Sequence, residues 1–395
     1  MQIKKEKLNS WKEYCNVAAS TNPWSQVYKL AAGKARADRI MTTLRKPDGS
    51  ETLSIKETMD VILQYHFPED REESENQLHK TIRRSVDEPI NTRDDTGFSK
   101  EEIRQTIASF SDKKAPGRDG ITASVYLRTF KLLPEVTAIY NQCLDRGCFP
   151  KRWKAAKIIP IMKPGQENSA EPSKYRPISL LNMGGKILEK LLITRITHYL
   201  YRHDLLTDKQ YGFTPQKSTV DAAMEAKHFI KPIIEKRGIV IMASLDVAGA
   251  FDSAWWPSIL QGLKDLGCPR NLYNLSKGYF SHRTAEMATN SDCITRVTKG
   301  CPQGSCCGPG FWNVLYNSLL KTELTSYSTI IAFADDIIIL TRGKSVVEAE
   351  NYMNLEMKKI KKWAQKNKLQ FNENKSQVML LTHRKRREKR RWRFT

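Results

Sequence analysis

The sequence predicts an α+β protein. Segments with helical period and segments with strand character follow one another, without the regular strand–helix alternation of a parallel α/β fold. Two largely apolar runs, 239–245 and 329–340, have the length of buried strands, the second carrying two Asp near its middle. The third observation is size: 40% apolar residues over 395 positions supply a sizeable core. At about 150 residues per domain, the length has room for two or three domains.

Residues 1–95 read as a mainly helical, basic N-terminal segment, with a turn at Lys46-Pro47-Asp48-Gly49-Ser50. Its end, 86–98, is polar and broken and reads as a linker. The central region, 96–382, opens on a capping box, Ser99 with Glu102, ahead of Ile103, Ile107 and Phe110 on one helical face. The loop Lys113–Gly120 interrupts it. Ile187, Leu188, Leu191, Leu192, Ile196 and Leu200 keep helical spacing. Pro257 in a first turn, apolar positions through Leu266 and then Gly267 define a helix with its stop. Phe311 to Leu320 predicts another helix, and Val346 to Ala364 a long one with a basic outer face. Residues 369–372 and 377–382 read as strands. The last piece, 383–395, is a basic tail.

Lys and Arg number 65 against 43 Asp and Glu, a net charge of +22, which calls for a polyanionic partner. No apolar run is long enough for a transmembrane helix, and the N-terminus lacks the apolar core of a secretory signal. The expected location is intracellular, nuclear or cytoplasmic. The eight Cys form no C-x-x-C pair, which argues against zinc fingers and for free thiols in a reducing compartment.

The chemistry concentrates in 330–340, where Asp335 and Asp336 lie inside a sequence otherwise suited to burial. Taken alone, the pair also reads as a solvated turn. A second apolar strand, 239–245, ends on Asp246 and changes the balance. Ionised carboxylates are costly to bury, and a cluster of them would largely neutralise without a counter-charge. Hard divalent cations such as Mg²⁺ resolve this through carboxylate oxygens and substrate phosphates. Two such ions would clamp the oxygens of an in-line phosphoryl transfer. With the basic balance, the residues alone reach metal-dependent phosphoryl transfer on nucleic acid.

FADD at 333–336, SLDVAGAFD at 244–252 and GCPQGS at 300–305 together resemble the palm of a reverse transcriptase. KAPGRDGI at 114–121, YRPISLLN at 175–182, QYGFTPQKSTVDA at 210–222 and LQFNENKS at 369–376 are similar to the reverse transcriptases of non-LTR (LINE-type) retrotransposons. The motifs stand in the family's order over about 95–382. The resemblance implies right-hand polymerase fingers and palm, the palm an antiparallel sheet packed with helices. It implies an RNA-directed DNA polymerase using two Mg²⁺ ions, or Mn²⁺ in their place, on an RNA template, a DNA primer and deoxynucleoside triphosphates.

Residue by residue, the resemblance makes Asp246, Asp335 and Asp336 the catalytic metal-binding carboxylates. It makes Phe251 the aromatic that crowds the sugar 2′ position. Lys163 and Arg176 become triphosphate contacts, and Gln303 and Gly304 the lining of the nucleotide and template. Lys375 is placed near the leaving pyrophosphate. Cys306-Cys307-Gly308 departs from the usual apolar-and-Ser pattern before Pro309 but keeps small residues. No primer-grip motif follows 382, so the thumb is expected to be absent, as are an endonuclease and a zinc-knuckle region, and the chain reads as part of a longer element protein. The alternative from another class is a catalytically weak remnant that only binds nucleic acid. An RNA-dependent RNA polymerase is disfavoured by Phe251, and a group II intron maturase by the N-terminal stretch and YRPISLLN.

Affinity for RNA or an RNA–DNA hybrid should fall linearly with salt on a log–log plot, because neutralised phosphates release counterions. Residues 384–393 hold eight Lys or Arg and one Glu. Their removal should flatten that slope in a filter-binding titration; an unchanged slope makes the tail a bystander.

Overall fold

The computed structural model describes residues 43–383, apart from 112–113, 133–134, 167–168 and 289–291, together with positions 9 and 12. The basic tail from 384 onward lies outside the described residues. The chain divides into two units, residues 1–58 and 59–395.

In the first unit the predicted turn is present. Lys46 N–H donates to Ser50 O at 2.7 Å, and Gly49 takes the left-handed φ of 86° that a side chain would resist. Helix α1 spans Ile55–His66, and α2, Gln77–Asp87, follows. Residues 88–98 are irregular, as predicted. Instead of bridging freely, they are strapped to the body. Thr92 donates to Cys268 O at 2.7 Å, Asp95 N–H donates to Asn271 Oδ1 at 2.9 Å, and Ile90 and Phe98 are buried in the main core.

Helix α3 is Lys100–Ala108, capped by Ser99, whose hydroxyl accepts from Glu102 N–H at 3.1 Å. The Glu102 carboxylate takes two Arg195 N–H donors at 2.7 Å each, so the reciprocal half of the predicted capping box goes to a tertiary ion pair. Helices α4 (Ala123–Leu132) and α5 (Glu135–Asp145) lead to strands β1 (Ala155–Met162) and β2 (Tyr175–Leu180). The 20-residue helix α6, Met183–Arg202, buries all six positions whose spacing predicted it. Helix α7, Thr219–Glu235, starts on a full capping box between Ser218 and Asp221.

Strand β3 is Ile239–Leu245, as predicted. A four-residue helix α8 (Ala250–Ser253), α9 (Trp256–Asp265) and α10 (Arg270–Phe280) follow. Gly267, at φ 67°, ends the Pro257 helix. Strands β4 (Arg283–Ala288) and β5 (Asp292–Val297) precede α11 (Gly308–Leu320). The 329–340 run folds into the hairpin β6 (Ser328–Phe333) and β7 (Asp336–Gly343). Helix α12, Val346–Lys366, and strand β8, Gln377–Thr382, complete the described chain. Residues 369–372 make a single bridge, Phe371 with Val247, where a strand was predicted. The left-handed Lys368 (φ 53°) turns the chain sharply into this stretch.

Among the described residues the strands form two sheets, ordered β2-β1-β4-β5 and β6-β7-β3-β8. In the second, every pairing is antiparallel. Period-2 alternation explains its layers. Ile239, Ile241, Ala243 and Leu245 face the main core beneath α11 and α12, while Val240 packs with Ala226 of α7 on the other side. In the first sheet, β1 pairs parallel with β4 and the remaining pairs are antiparallel. The sequence pattern hid these strands because Pro160 and Pro177 interrupt two of them. The structure sets the two prolines opposite each other.

A buried ionic cluster ties residues 70–83 to Trp255 and Lys368. The Asp70 carboxylate accepts from Arg83 at 2.6 Å, Lys368 at 2.8 Å and Trp255 Nε1 at 2.9 Å. Lys368 also reaches Glu75 at 2.7 Å and lies 4.6 Å from the Trp255 ring centroid. Burial pushes the Asp70 pKa up, but the bonds from Lys368, Arg83 and Trp255 outweigh it and hold the pKa below the ordinary value. Asp70→Ala should therefore cost about 3–5 kcal/mol in urea unfolding, the usual loss when one partner of a buried ion pair is removed. For a lowered pKa, the wild-type advantage is present above the unfolded value of about 3.9 and disappears as pH falls through the folded one. Equal midpoints at pH 7 would refute the clasp.

Candidate active site

Two adjacent strands position the carboxylates. β3 pairs with β7 in a register that sets Leu245 opposite Ile337, and extending it by one residue sets Asp246 opposite Asp336. Opposed residues of an antiparallel pair lie about 4.5–5.5 Å apart at Cα. Asp335 occupies the turn before Asp336. The three predicted acids thus converge at one corner of the sheet. Burial, and then the charges of Asp336 and Asp246, push the Asp335 pKa up. Tyr316 beneath them is raised well above its ordinary value by burial and by the same three carboxylates.

The turn itself is under strain. Phe333 pairs with Asp336, leaving Ala334 and Asp335 as a two-residue loop, and Ala334 takes φ 57°, a region that favours glycine. Gln210, buried, clamps it from the side. Its Oε1 accepts from Ala334 N–H at 3.0 Å and Gly212 N–H at 2.9 Å, and its Nε2 donates to Ala334 O at 3.1 Å. A Cβ on Gly212 would stand 2.1 Å from Ala334 N, so only glycine lets the loop press this close. From below, Trp312 donates to Ala334 O at 3.1 Å and Tyr316 to Asp335 O at 3.0 Å. The sequence motif at 210–222 had carried no residue roles. Gln210 and Gly212 acquire theirs only through a contact 124 residues away.

Phe251 lies in α8, partly buried, stacked on Trp312 with ring centroids 5.4 Å apart, and edge-on to Phe213 at 6.0 Å. It is packed against the core and stands five residues from Asp246. The loop carrying Gln303 and Gly304 is fixed on three sides. Ser179 N–H of β2 donates to Gln303 O at 2.8 Å, and Gln303 Nε2 donates to Asp252 at 3.1 Å. Gly304 has φ 116°, and a Cβ there would meet Ser179 O at 2.8 Å. The Ser305 hydroxyl and Cys306 N–H donate to Glu189 of α6 at 2.9 and 2.7 Å. Glu189 is fully buried, and burial raises its pKa. The sequence showed it only as one residue of a helix.

The cations gather opposite. Lys163 follows β1 and donates to Ser173 O at 2.7 Å. Burial lowers its pKa, and Lys375, Arg176 and Lys174 add to the effect. Arg176 is exposed on β2. Lys375, in the turn before β8, stands 3.6 Å from Asp246. The acids sit on the second sheet with Lys375 beside Asp246, while Lys163 and Arg176 follow and lie on strands of the first sheet, to which the Gln303 loop is bonded.

The donor set at the acidic corner is all oxygen, which suits a hard divalent cation. Among the described residues no three His, Cys, Asp or Glu close into a metal-holding group. No helix among the described residues is long and apolar enough to cross a membrane.

Comparison with known proteins finds a match over residues 161–395 to the family described as reverse transcriptase (RNA-dependent DNA polymerase). The chain is 28% identical over 381 residues to a putative 115 kDa protein in type-1 retrotransposable element R1DM of Drosophila melanogaster, covering 96% of this chain and 35% of that protein. It is 29% identical to a retrovirus-related Pol polyprotein from element R1 of Bradysia coprophila, over 87% of this chain and 33% of the relative. It is 32% identical to an RNA-directed DNA polymerase from the mobile element jockey of Drosophila melanogaster, over 70% of this chain and 31% of the relative. The chain spans about a third of the length of these curated relatives.

Asp335→Asn should stabilise the fold at pH 7 by about 0.5–2 kcal/mol, the range of other gains made by relieving site strain. The sign follows from the raised pKa. Wild-type stability declines as pH rises from the unfolded value of about 3.9 through the folded one, so the variant's advantage opens across that range. Thermal melts at pH 4 and 7 measure it. A lower melting point for the variant at pH 7 would mean that the ionised carboxylate holds the turn together.

Proposed function

The chain belongs to the reverse transcriptase (RNA-dependent DNA polymerase) family, and on that premise we propose that it carries the polymerase fingers and palm of a non-LTR retrotransposon protein and adds deoxynucleotides to a primer on an RNA template. The observation that carries the reading is the β3–β7 register, which sets Asp246 against the Asp335–Asp336 turn. The family's chemistry implies a nucleic-acid template and primer. Reverse transcriptases work with divalent metal ions, and Mg²⁺ is the ion we assign here, held by Asp246, Asp335 and Asp336. Bound there, a pair of such ions would neutralise charge on the transferring phosphoryl group and lower the pKa of the attacking hydroxyl.

The chain's own residues do the rest. Lys163, Arg176 and Lys375 supply fixed positive charge for the triphosphate of the incoming nucleotide. Phe251, wedged between Phe213 and Trp312, cannot swing aside and closes the space a 2′-hydroxyl would need. Gln303 and Gly304, anchored to β2 and α6, line the nucleotide without room to drift. Positioning of this kind matters because a misplacement of about 1 Å can cost roughly a hundredfold in rate. The chain covers about a third of its relatives, so template and primer contacts outside it belong to the longer protein.

Primer extension on an RNA template with Mg²⁺ tests the reading. Wild type should add deoxynucleotides, Asp335→Asn should lose at least a thousandfold while keeping RNA affinity within about threefold, and Phe251→Ala should admit ribonucleotides. Extension by Asp335→Asn at the wild-type rate would remove Asp335 from the catalytic set, and tight RNA binding by wild type with no extension in Mg²⁺ or Mn²⁺ would favour a binding-only protein.

A further inference from the structure

Asp252 is the one acidic side chain bonded to the predicted nucleotide loop from the α8 side, and no motif reading gave it a role. Its Oδ1 and Oδ2 lie 3.1 and 3.4 Å from Gln303 Nε2. On its far side Oδ2 is 3.7 Å from Nδ1 of His66, a buried residue at the end of α1. The other ring nitrogen, Nε2, is 3.1 Å from Pro172 O, in the same β1–β2 connection whose Ser173 carbonyl holds Lys163. The Asp252–Gln303 bond joins α8 to the loop at 300–305, and His66 stands beside it beyond hydrogen-bond distance.

A carboxylate only accepts hydrogen bonds, whereas a carboxamide has one accepting end and one donating end. Asp252 therefore fixes which way Gln303 faces: the NH₂ end is taken, and Oε1 is turned away from Asp252. The Gln303 backbone is already immobile, its carbonyl bonded to Ser179 and its neighbour Gly304 pressed on the same residue. We infer that Asp252 is a positioning residue that locks Gln303 into presenting a hydrogen-bond acceptor to the incoming nucleotide. The inference rests on the polymerase reading for its nucleotide, but the Asp252–Gln303 bond stands on geometry alone.

The test is a double-mutant cycle read two ways. In primer extension, Asp252→Ala and Gln303→Met should each raise KM for deoxynucleotide about tenfold with kcat within about threefold, and the double variant should be no worse than Gln303→Met alone. A residue that merely supported the fold would give effects that multiply, or would lower kcat and primer–template affinity together. Asp252→Asn, which keeps one accepting oxygen, should recover most of the KM and guards against a folding defect in the alanine variant. In urea unfolding, which needs no activity, the Asp252–Gln303 cycle should show coupling of at least about threefold in the unfolding constant. Multiplying KM effects or additive unfolding overturns the inference. Should wild type fail to extend any primer, the polymerase reading falls, and the unfolding cycle by itself decides the Asp252–Gln303 bond.

Discussion

The register between β3 and β7 is the constraint on which the rest of the structure depends. β3 is buried on both faces, with Ile239, Ile241, Ala243 and Leu245 toward one side and Val240 toward the other. A slip of one residue would exchange those faces, so packing over seven paired positions fixes the alignment. That alignment, set by apolar contacts, is what holds Asp246 against Asp336. The cost shows at the strand ends: Asp335 is pushed toward protonation and Ala334 is held in a left-handed turn. Gln210, Trp312 and Tyr316 offset the strain with hydrogen bonds to the turn's own backbone, leaving the Asp335 and Asp336 carboxylates for other partners.

Charge around the site is arranged so that it does not cancel itself. Lys163 and Arg176 are fixed on the first sheet and the three Asp on the second, and Lys375–Asp246, at 3.6 Å with the lysine mostly exposed, is the single ion pair between the predicted groups. An exposed pair of this kind is worth about 0–1 kcal/mol and is easily exchanged. Lys163 is instead tied to a carbonyl, Ser173 O, which holds its position without consuming its charge. Positive and negative groups held apart by rigid elements suit a ligand that is itself both anionic and cation-binding, as a metal-bound triphosphate is.

Much of this was legible in the sequence, for identifiable reasons. The long helices α6 and α12, the strand 239–245 and the hairpin around 335 announce themselves because each buries a face whose period survives in the residues. The first sheet did not: prolines occupy β1 and β2, and β4 and β5 are short and polar, so neither propensity nor alternation marks them. The residues 369–372 looked like a strand for their apolar pattern, yet only Phe371 bridges. At the site, the acids were legible because carboxylates in apolar runs are anomalous. Gln210, Glu189 and Asp252 were not, since each acts through a bond to a residue more than 50 positions away.

The boundary drawn at 95/96 from sequence character does not mark a break in stability. Asp246 is located from two sides, by β7 through the register and by the chain after α12, where Asn372 N–H donates to Asp246 O at 2.7 Å and Ala248 N–H to Gln370 O at 2.9 Å. That second support begins at Lys368, and Lys368 is held by Asp70 and Glu75, both upstream of 96. Removing those two carboxylates would leave a largely buried ammonium without its partners, a loss of several kcal/mol by the usual cost of orphaning one half of such a pair. Residues 70–83, ahead of the polymerase motifs, therefore belong to the scaffold that aims Asp246.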